Sequence, residues 1–159
     1  MKRDDRLSNT LHALLHMDDH QCKTGAPMTS EMLAACLNTN PVVVRRTMAG
    51  LREIGVVTSV RGHGGGWRLA RDLKDVTLLT VAEALGETSL LAAPRLVDHD
   101  GCLVEAAVTD ALADAHAAAN AILAARFAEV TLADLADDFR RRMAAHSHQG
   151  TSHGRLHAS

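Results

Sequence analysis

The stretch Val56-Val57-Thr58-Ser59-Val60-Arg61-Gly62-His63-Gly64-Gly65-Gly66-Trp67-Arg68-Leu69-Ala70-Arg71 constrains the chain more than any other, because it spells two short strands around a glycine-rich basic turn. Val56, Thr58 and Val60 alternate with Val57 and Ser59, and Trp67 and Leu69 alternate with Arg68 and Ala70, the period of two that strands require. Four glycines let the tip take positive φ, which residues with a Cβ resist. A hairpin that carries Arg61, His63 and Arg68 has the form of a wing, and a wing needs a helical body to stand on.

That body is spelled immediately upstream. In Thr29-Ser30-Glu31-Met32-Leu33-Ala34-Ala35-Cys36-Leu37 the apolar positions Met32, Leu33, Cys36 and Leu37 recur at helical spacing, with Thr29 as N-cap and Cys36 expected as a small core residue. A turn at Asn38-Thr39-Asn40 follows. Pro41 then opens a second helix, where its missing N–H and fixed φ cost nothing, and Asn40 caps it. The helix should run to about Ile54, burying Val44, Met48 and Leu51 together with Val56. Val42, Val43, Arg45, Arg46 and Ala49 then point outward. The predicted fold class is mainly α with a small β-hairpin, a winged helix-turn-helix whose second helix belongs in the DNA major groove.

Charge supports this locally. The 159 residues carry 17 Lys plus Arg against 19 Asp plus Glu, a balance that by itself speaks against nucleic acid. Yet from Pro41 to Arg71 there are six arginines (Arg45, Arg46, Arg52, Arg61, Arg68, Arg71) against Glu53 alone, whereas residues 76 to 159 hold six basic and eleven acidic side chains. Phosphate contacts act through counterion release, so a basic face on an acidic molecule is sufficient for salt-sensitive binding. With only Trp67, Phe127 and Phe139 as aromatics, stacking on single strands is disfavoured.

Other readings of the same residues are weaker. A glycine-rich loop can cradle a nucleotide phosphate, but neither a Walker lysine nor a helix follows Gly64-Gly65-Gly66, so no enzymatic activity is expected. Winged domains also dock proteins, yet the tip is rich in glycine and arginine, and Trp67, the one aromatic there, is explained by packing under the hairpin. His12, His16 and His20 recur every four residues beside Leu11, Leu14 and Leu15, and are read as the polar side of a first amphipathic helix that includes Leu7, with no metal site. No segment is apolar for long enough to span a membrane and Met1-Lys2-Arg3-Asp4-Asp5 runs directly into this helix, so the expected location is cytoplasmic.

The alanine-rich stretch from about Leu103 to Phe127 places Val104, Val108, Ala111, Ala115, Ala118, Ile122 and Ala125 at alternating steps of four and three, the seam of two closely packed helices. A homodimer follows if the stripe meets a second copy; packing within one subunit is the alternative. The expected division is a winged domain over 1–85, a linker or sensor loop over 86–103, dimerisation helices over 104–145 and a disordered tail over 146–159. Thr131 to Phe139 reads as a further capped helix ending in Arg140-Arg141-Arg142. His146, His148, His153 and His157 in the tail are candidate metal ligands of low specificity.

The wing run, followed closely by Val76-Thr77-Leu78-Leu79-Thr80-Val81-Ala82-Glu83-Ala84-Leu85, resembles the bacterial Rrf-type regulators, the group that includes the iron-sulfur-cluster biogenesis regulator, the nitric-oxide-responsive repressor and the cysteine-metabolism repressor. The likeness covers roughly residues 6 to 127. Its most specific part is the pattern Arg-Gly-x-Gly-Gly-Gly-aromatic-Arg-Leu, with His63 at the variable place and Trp67 as the aromatic. The resemblance implies a homodimeric regulator, a repressor in expectation, that reads a pseudo-palindromic DNA operator. It also implies an operator unlike those of many relatives, which place acidic or amide side chains where Arg45 and Arg46 stand. The candidate DNA-contacting residues are Thr39, Asn40, Val42, Val43, Arg45, Arg46, Arg61, Gly62, His63, Gly64, Gly65 and Arg68. Within this set Arg45 and Arg46 suit guanine O6 and N7, Val42 and Val43 suit thymine methyls, and Arg61, His63 and Arg68 suit phosphate or the minor groove.

The chain has three cysteines. Cluster-binding relatives carry three close together between wing and dimer helix, where this chain has Cys102 alone, in Asp98-His99-Asp100-Gly101-Cys102. No cofactor is expected; an atypical iron-sulfur cluster would need Cys102 to be helped by His99, Asp98, Asp100 or a partner's Asp4, Asp5 or His12. Cys102 is also the candidate redox position, although its acidic neighbours argue against a highly reactive thiol. A small-molecule effector, or no effector, is the remaining reading. Cys22, in the Asp19-His20-Gln21-Cys22-Lys23 loop, is expected to be exposed without an obvious partner.

Overall fold

The computed structural model describes residues 3–87, 89–92 and 102–150. Helix α1 (Arg3–Thr24) is followed by α2 (Ser30–Cys36) and α3 (Pro41–Glu53), then the hairpin strands β1 (Val57–Val60) and β2 (Gly66–Leu69). A 3-10 turn (Leu73–Asp75) leads to α4 (Leu78–Ala84), and two long helices follow, α5 (Leu103–Glu129) and α6 (Leu132–Gly150). The fold is therefore mainly helical with a two-stranded antiparallel wing, as the sequence predicts.

One core joins these elements. Ala13, Leu14 and Met17 of α1, Leu33 and Ala34 of α2, Val44, Met48 and Leu51 of α3, and Val81 of α4 are buried together with Val56, Val57 and Val76. Each of these four helices contributes one apolar stripe, and burying a Leu, Val or Met side chain is worth roughly 1.5–3 kcal/mol. The polar face of α1 carries its histidines, and the helix runs through the segment read above as a loop. Lys23 pairs with Asp19 at 2.7 Å and the Thr24 hydroxyl donates to the His20 carbonyl, so Cys22 lies on a continuous last turn, exposed and 3.9 Å from Asp18.

Two further expectations change in the helices. Cys36 is exposed, not buried: the seven-residue α2 turns Ser30, Leu33 and Ala34 inward, and with Leu37 packed on the core this stripe displaces Met32 and Cys36 to the surface. Helix α6 does not end at Arg140-Arg141-Arg142 or stop at residue 145; it continues to Gly150, with His146 exposed on it. The three arginines sit within it and pair backward with Asp137 and Asp138 at three- and four-residue spacing, contacts that support a helix. His153 and His157 lie outside the described residues.

Helix α6 also returns to the winged domain. Leu132 N–H donates to the Val76 carbonyl and Leu78 N–H to the Val130 carbonyl, at 2.8 and 3.0 Å, and Leu132 and Ala136 are buried in the core. Arg140 bridges α6 to α1 through Asp18 at 2.7 Å. Helix α5 behaves differently, with no buried residue along its length. Asn120 Oδ1 accepts the Leu90 amide at 2.7 Å and the His116 ring meets the Ala92 carbonyl at 3.0 Å, so one side of α5 holds residues 89–92. The Val104–Ala125 stripe lies on the open side, and every member of it is exposed.

Candidate nucleic-acid interface

The N-terminal half of α3 is built from local chemistry. Asn38 takes a left-handed turn at φ 48°, Asn40 Oδ1 accepts the Val42 amide at 2.8 Å, and Pro41 occupies the first turn. Because Val44, Met48 and Leu51 face the core, Val42 and Val43 are left 56% and 40% exposed, a cost in water that an apolar partner would offset. Arg45 and Arg46 flank them and point different ways. Arg45 leans toward α2 and pairs with Glu31 at 3.4 Å, with both side chains more than half exposed. Solvent screens such a pair, so Arg45 is readily released. The carboxyl of Glu31 is held below its usual range by its own backbone amide, then by the Thr29 hydroxyl and Arg45.

Arg46 stands on the opposite flank. It lines a cleft of about 320 Å³ with Val43, Thr47, Ala84, Leu85 and Arg6, a residue of α1 that also donates to the Leu85 carbonyl at 3.2 Å. Thr39 lines a smaller neighbouring recess beside Arg6 and Val43. Arg6 is not marked by the sequence, because only the packing of α1 on α4 brings it to the cleft that Arg46 lines. A cation on the same inward-tending stripe as Thr10 and Ala13 was the available signal.

The wing leaves the body quickly. Val56 and Val57 are buried, while Thr58, Ser59 and Val60 are exposed, so burial does not alternate along β1 as the residue types suggested. The register pairs Val57 with Leu69, Thr58 with Arg68, Ser59 with Trp67 and Val60 with Gly66. Trp67 anchors the hairpin: its backbone exchanges two hydrogen bonds with Met28, at 2.8 and 3.0 Å, and its indole N–H donates to the Ser30 hydroxyl at 3.0 Å. The tip turns through Gly62 at φ 97° and closes with the Gly65 amide on the Gly62 carbonyl at 3.0 Å.

Not all wing cations are alike. Arg61 and His63 are exposed at the tip, and neither they nor Arg46 makes a hydrogen bond or ion pair with the described residues. Arg68 is half-buried and its guanidinium donates to the Gly25 carbonyl at 2.6 Å, which ties the wing to the end of α1. Cys102 is the N-cap of α5, exposed and without a side-chain cap bond. Asp98, His99 and Asp100 lie outside the described residues. Among the described residues no group of three or more His, Cys, Asp or Glu gathers as a metal site, and no helix is long and apolar enough to cross a membrane.

Relatives carry the same architecture. The Rrf2 family, described as iron-dependent transcriptional regulators, matches residues 3–138. The Bacillus subtilis protein named "Putative HTH-type transcriptional regulator YwnA" is 34% identical over 111 residues, which cover 69% of this chain and 77% of that protein. A Lactobacillus plantarum structure, described only as a putative transcriptional regulator, superposes with a TM-score of 0.72 at 24% identity over 95% of this chain and 99% of its own. CymR, the global cysteine regulator of Bacillus subtilis, gives 0.54 at 19% identity over 83% and 93%. The fold is theirs, and none of these is an enzyme by description. With its capped recognition helix and basic wing, the chain belongs to the Rrf2 family of DNA-binding transcriptional regulators.

Proposed function

We propose that the protein acts as a homodimeric repressor on a pseudo-palindromic operator, with α3 in the major groove and the wing on the adjacent backbone or minor groove of each half-site. The observation that carries this is the set of uncommitted groups on one helix-and-wing unit: exposed Val42 and Val43, loosely held Arg45, and unpaired Arg46, Arg61 and His63. Valines can meet thymine methyls and arginines guanine edges. Thr39, Asn40 and the backbone of Gly62, Gly64 and Gly65 can approach phosphates. Arg68, already bonded to Gly25, serves chiefly to hold the wing in place.

The dimer reading rests on α5. Val104, Val108 and Ile122 are 73%, 53% and 74% exposed in the single chain, on the face opposite the one that holds residues 89–92. A 27-residue helix with no buried side chain gains stability by pairing that stripe with a second copy. Cys102, at the first turn of the same helix, is the candidate redox position. Two such thiols in one dimer would give two protons and two electrons to hydrogen peroxide, yielding a disulfide and two waters, and the new bond would bear on the interface. A small-molecule effector is the alternative input.

Fluorescence anisotropy on DNA from upstream of the coding region, at two salt concentrations and with thiols reduced and then oxidised, tests the reading. Nanomolar, salt-sensitive binding is expected. Arg61→Ala should weaken all sequences about equally and lower the salt slope by roughly one, whereas Arg45→Ala should change the preferred base. If both variants behave alike, the division between α3 and wing is wrong. Oxidation that alters binding in the parent but not in Cys102→Ser would assign the switch; equal responses would remove Cys102 from it.

A further inference from the structure

We propose that His12 and His16 form a two-imidazole site for a divalent late first-row cation, Cu2+ or Ni2+ ahead of Zn2+, on the polar flank of α1. The residues stand one turn apart, and their Nε2 atoms meet at 2.9 Å with ring centroids 4.6 Å apart and planes tilted by 40°. Two ring nitrogens that face each other so closely have two ways to be satisfied. One keeps its proton and donates to the other, or both offer lone pairs to a common cation. Metal–nitrogen bonds of about 2.0–2.1 Å to atoms at that separation enclose roughly 90°. This is the cis angle of a tetragonal complex, tighter than a closed tetrahedral zinc site prefers, and nitrogen ligands in that geometry favour Cu(II) or Ni(II).

The surroundings of His16 favour its ligating form. His16 is half-buried, and its pKa is lowered from 6.5, first by burial and then by His12, against an opposing pull from Asp19. A neutral imidazole with a free lone pair is what a metal requires. Asp19 is itself engaged with Lys23, and His20 does not join the pair in a three-residue group, so the protein supplies two ligands and water the others. The helix fixes the spacing, because positions four apart share a face.

Histidines in residues 146–159 offer Cu2+ a competing set, so the test is residue-resolved. Full-length protein labelled with 15N is titrated with Cu2+ and followed by paramagnetic broadening of amide resonances and by electron paramagnetic resonance. The first equivalent should broaden amides around His12 and His16, show coupling to imidazole nitrogen, and be lost in both His12→Ala and His16→Gln while His20→Ala retains it. Circular dichroism separates loss of the site from loss of α1. Should a variant unfold, protection of His12 and His16 from diethyl pyrocarbonate by Ni2+ in the unaltered protein gives a second readout. A first equivalent that survives both substitutions, broadening confined to 146–159, or absence of protection would overturn the site and leave a hydrogen-bonded histidine pair.

Discussion

Gly66 shows how a single residue can be fixed by something the sequence does not display. A Cβ at this position would run into the Met28 carbonyl oxygen, the atom that accepts the Trp67 amide and pins β2 to the body. Gly66→Ala is expected to cost about 1–3 kcal/mol through forced backbone movement, measurable by denaturant unfolding, and to weaken DNA binding by displacing the wing. Gly64, with open space around it, should tolerate alanine better despite its φ of 79°. From sequence both read simply as turn glycines. The same holds for the arginines: their number and sign were legible, but which are free depends on neighbours 14 and 43 positions away, Glu31 for Arg45 and Gly25 for Arg68. Cys36 was misread for a related reason, since two helical stripes were available on α2 and tertiary packing chose the other.

At the scale of elements, helix starts were the most legible feature, because capping is local. Thr29, Asn40 and Thr131 each accept an amide from their own first turn. Asn40→Ala should destabilise the protein by about 1 kcal/mol in thermal unfolding and loosen the end of α3 proposed to enter the groove. Thr131 and Asp134 form a reciprocal box in which the Asp134 carboxylate accepts both the amide and the hydroxyl of Thr131, at 2.9 and 2.7 Å. The amide first, then the hydroxyl, holds the Asp134 pKa below 3.8. A carboxyl depressed in the folded state contributes stability that is present above its unfolded pKa and is lost as pH falls through the lower folded value. Melting curves should therefore show Asp134→Asn less stable than the parent near neutrality, with the difference vanishing toward strongly acidic pH. The far end of α6 was illegible, as its Ser and His composition favours no structure; the pairs of Arg140 with Asp137 and of Arg142 with Asp138 support the helix only up to its middle turns.

At the scale of the whole molecule, α5 and α6 are successive long helices that do opposite things. Leu132, fully buried, inserts α6 into the core of the winged domain. Leu132→Ala should cost about 2–5 kcal/mol and lower the stability of wing and recognition helix in one cooperative transition. A separate, earlier transition confined to residues 132–150 would show instead that α6 is an independent unit. If the proposed dimer forms through the open stripe of α5, Ile122→Glu should leave each protomer folded but shift sedimentation from dimer to monomer and abolish tight operator binding. Retention of the dimer would move the interface elsewhere.

The amino-acid sequence by itself determined the winged class, the caps that begin three of the helices, the outward face of α3 and the basic glycine-rich tip, because each is written in residues within a few positions of one another. Tertiary structure alone decided which cations are committed, which stripe of α2 is buried, that α6 closes the core while one stripe of α5 stays open, and that Arg6 lines one cleft with Arg46. Those outcomes depend on contacts between segments remote in the chain, where periodicity shows that a face exists but not what it meets.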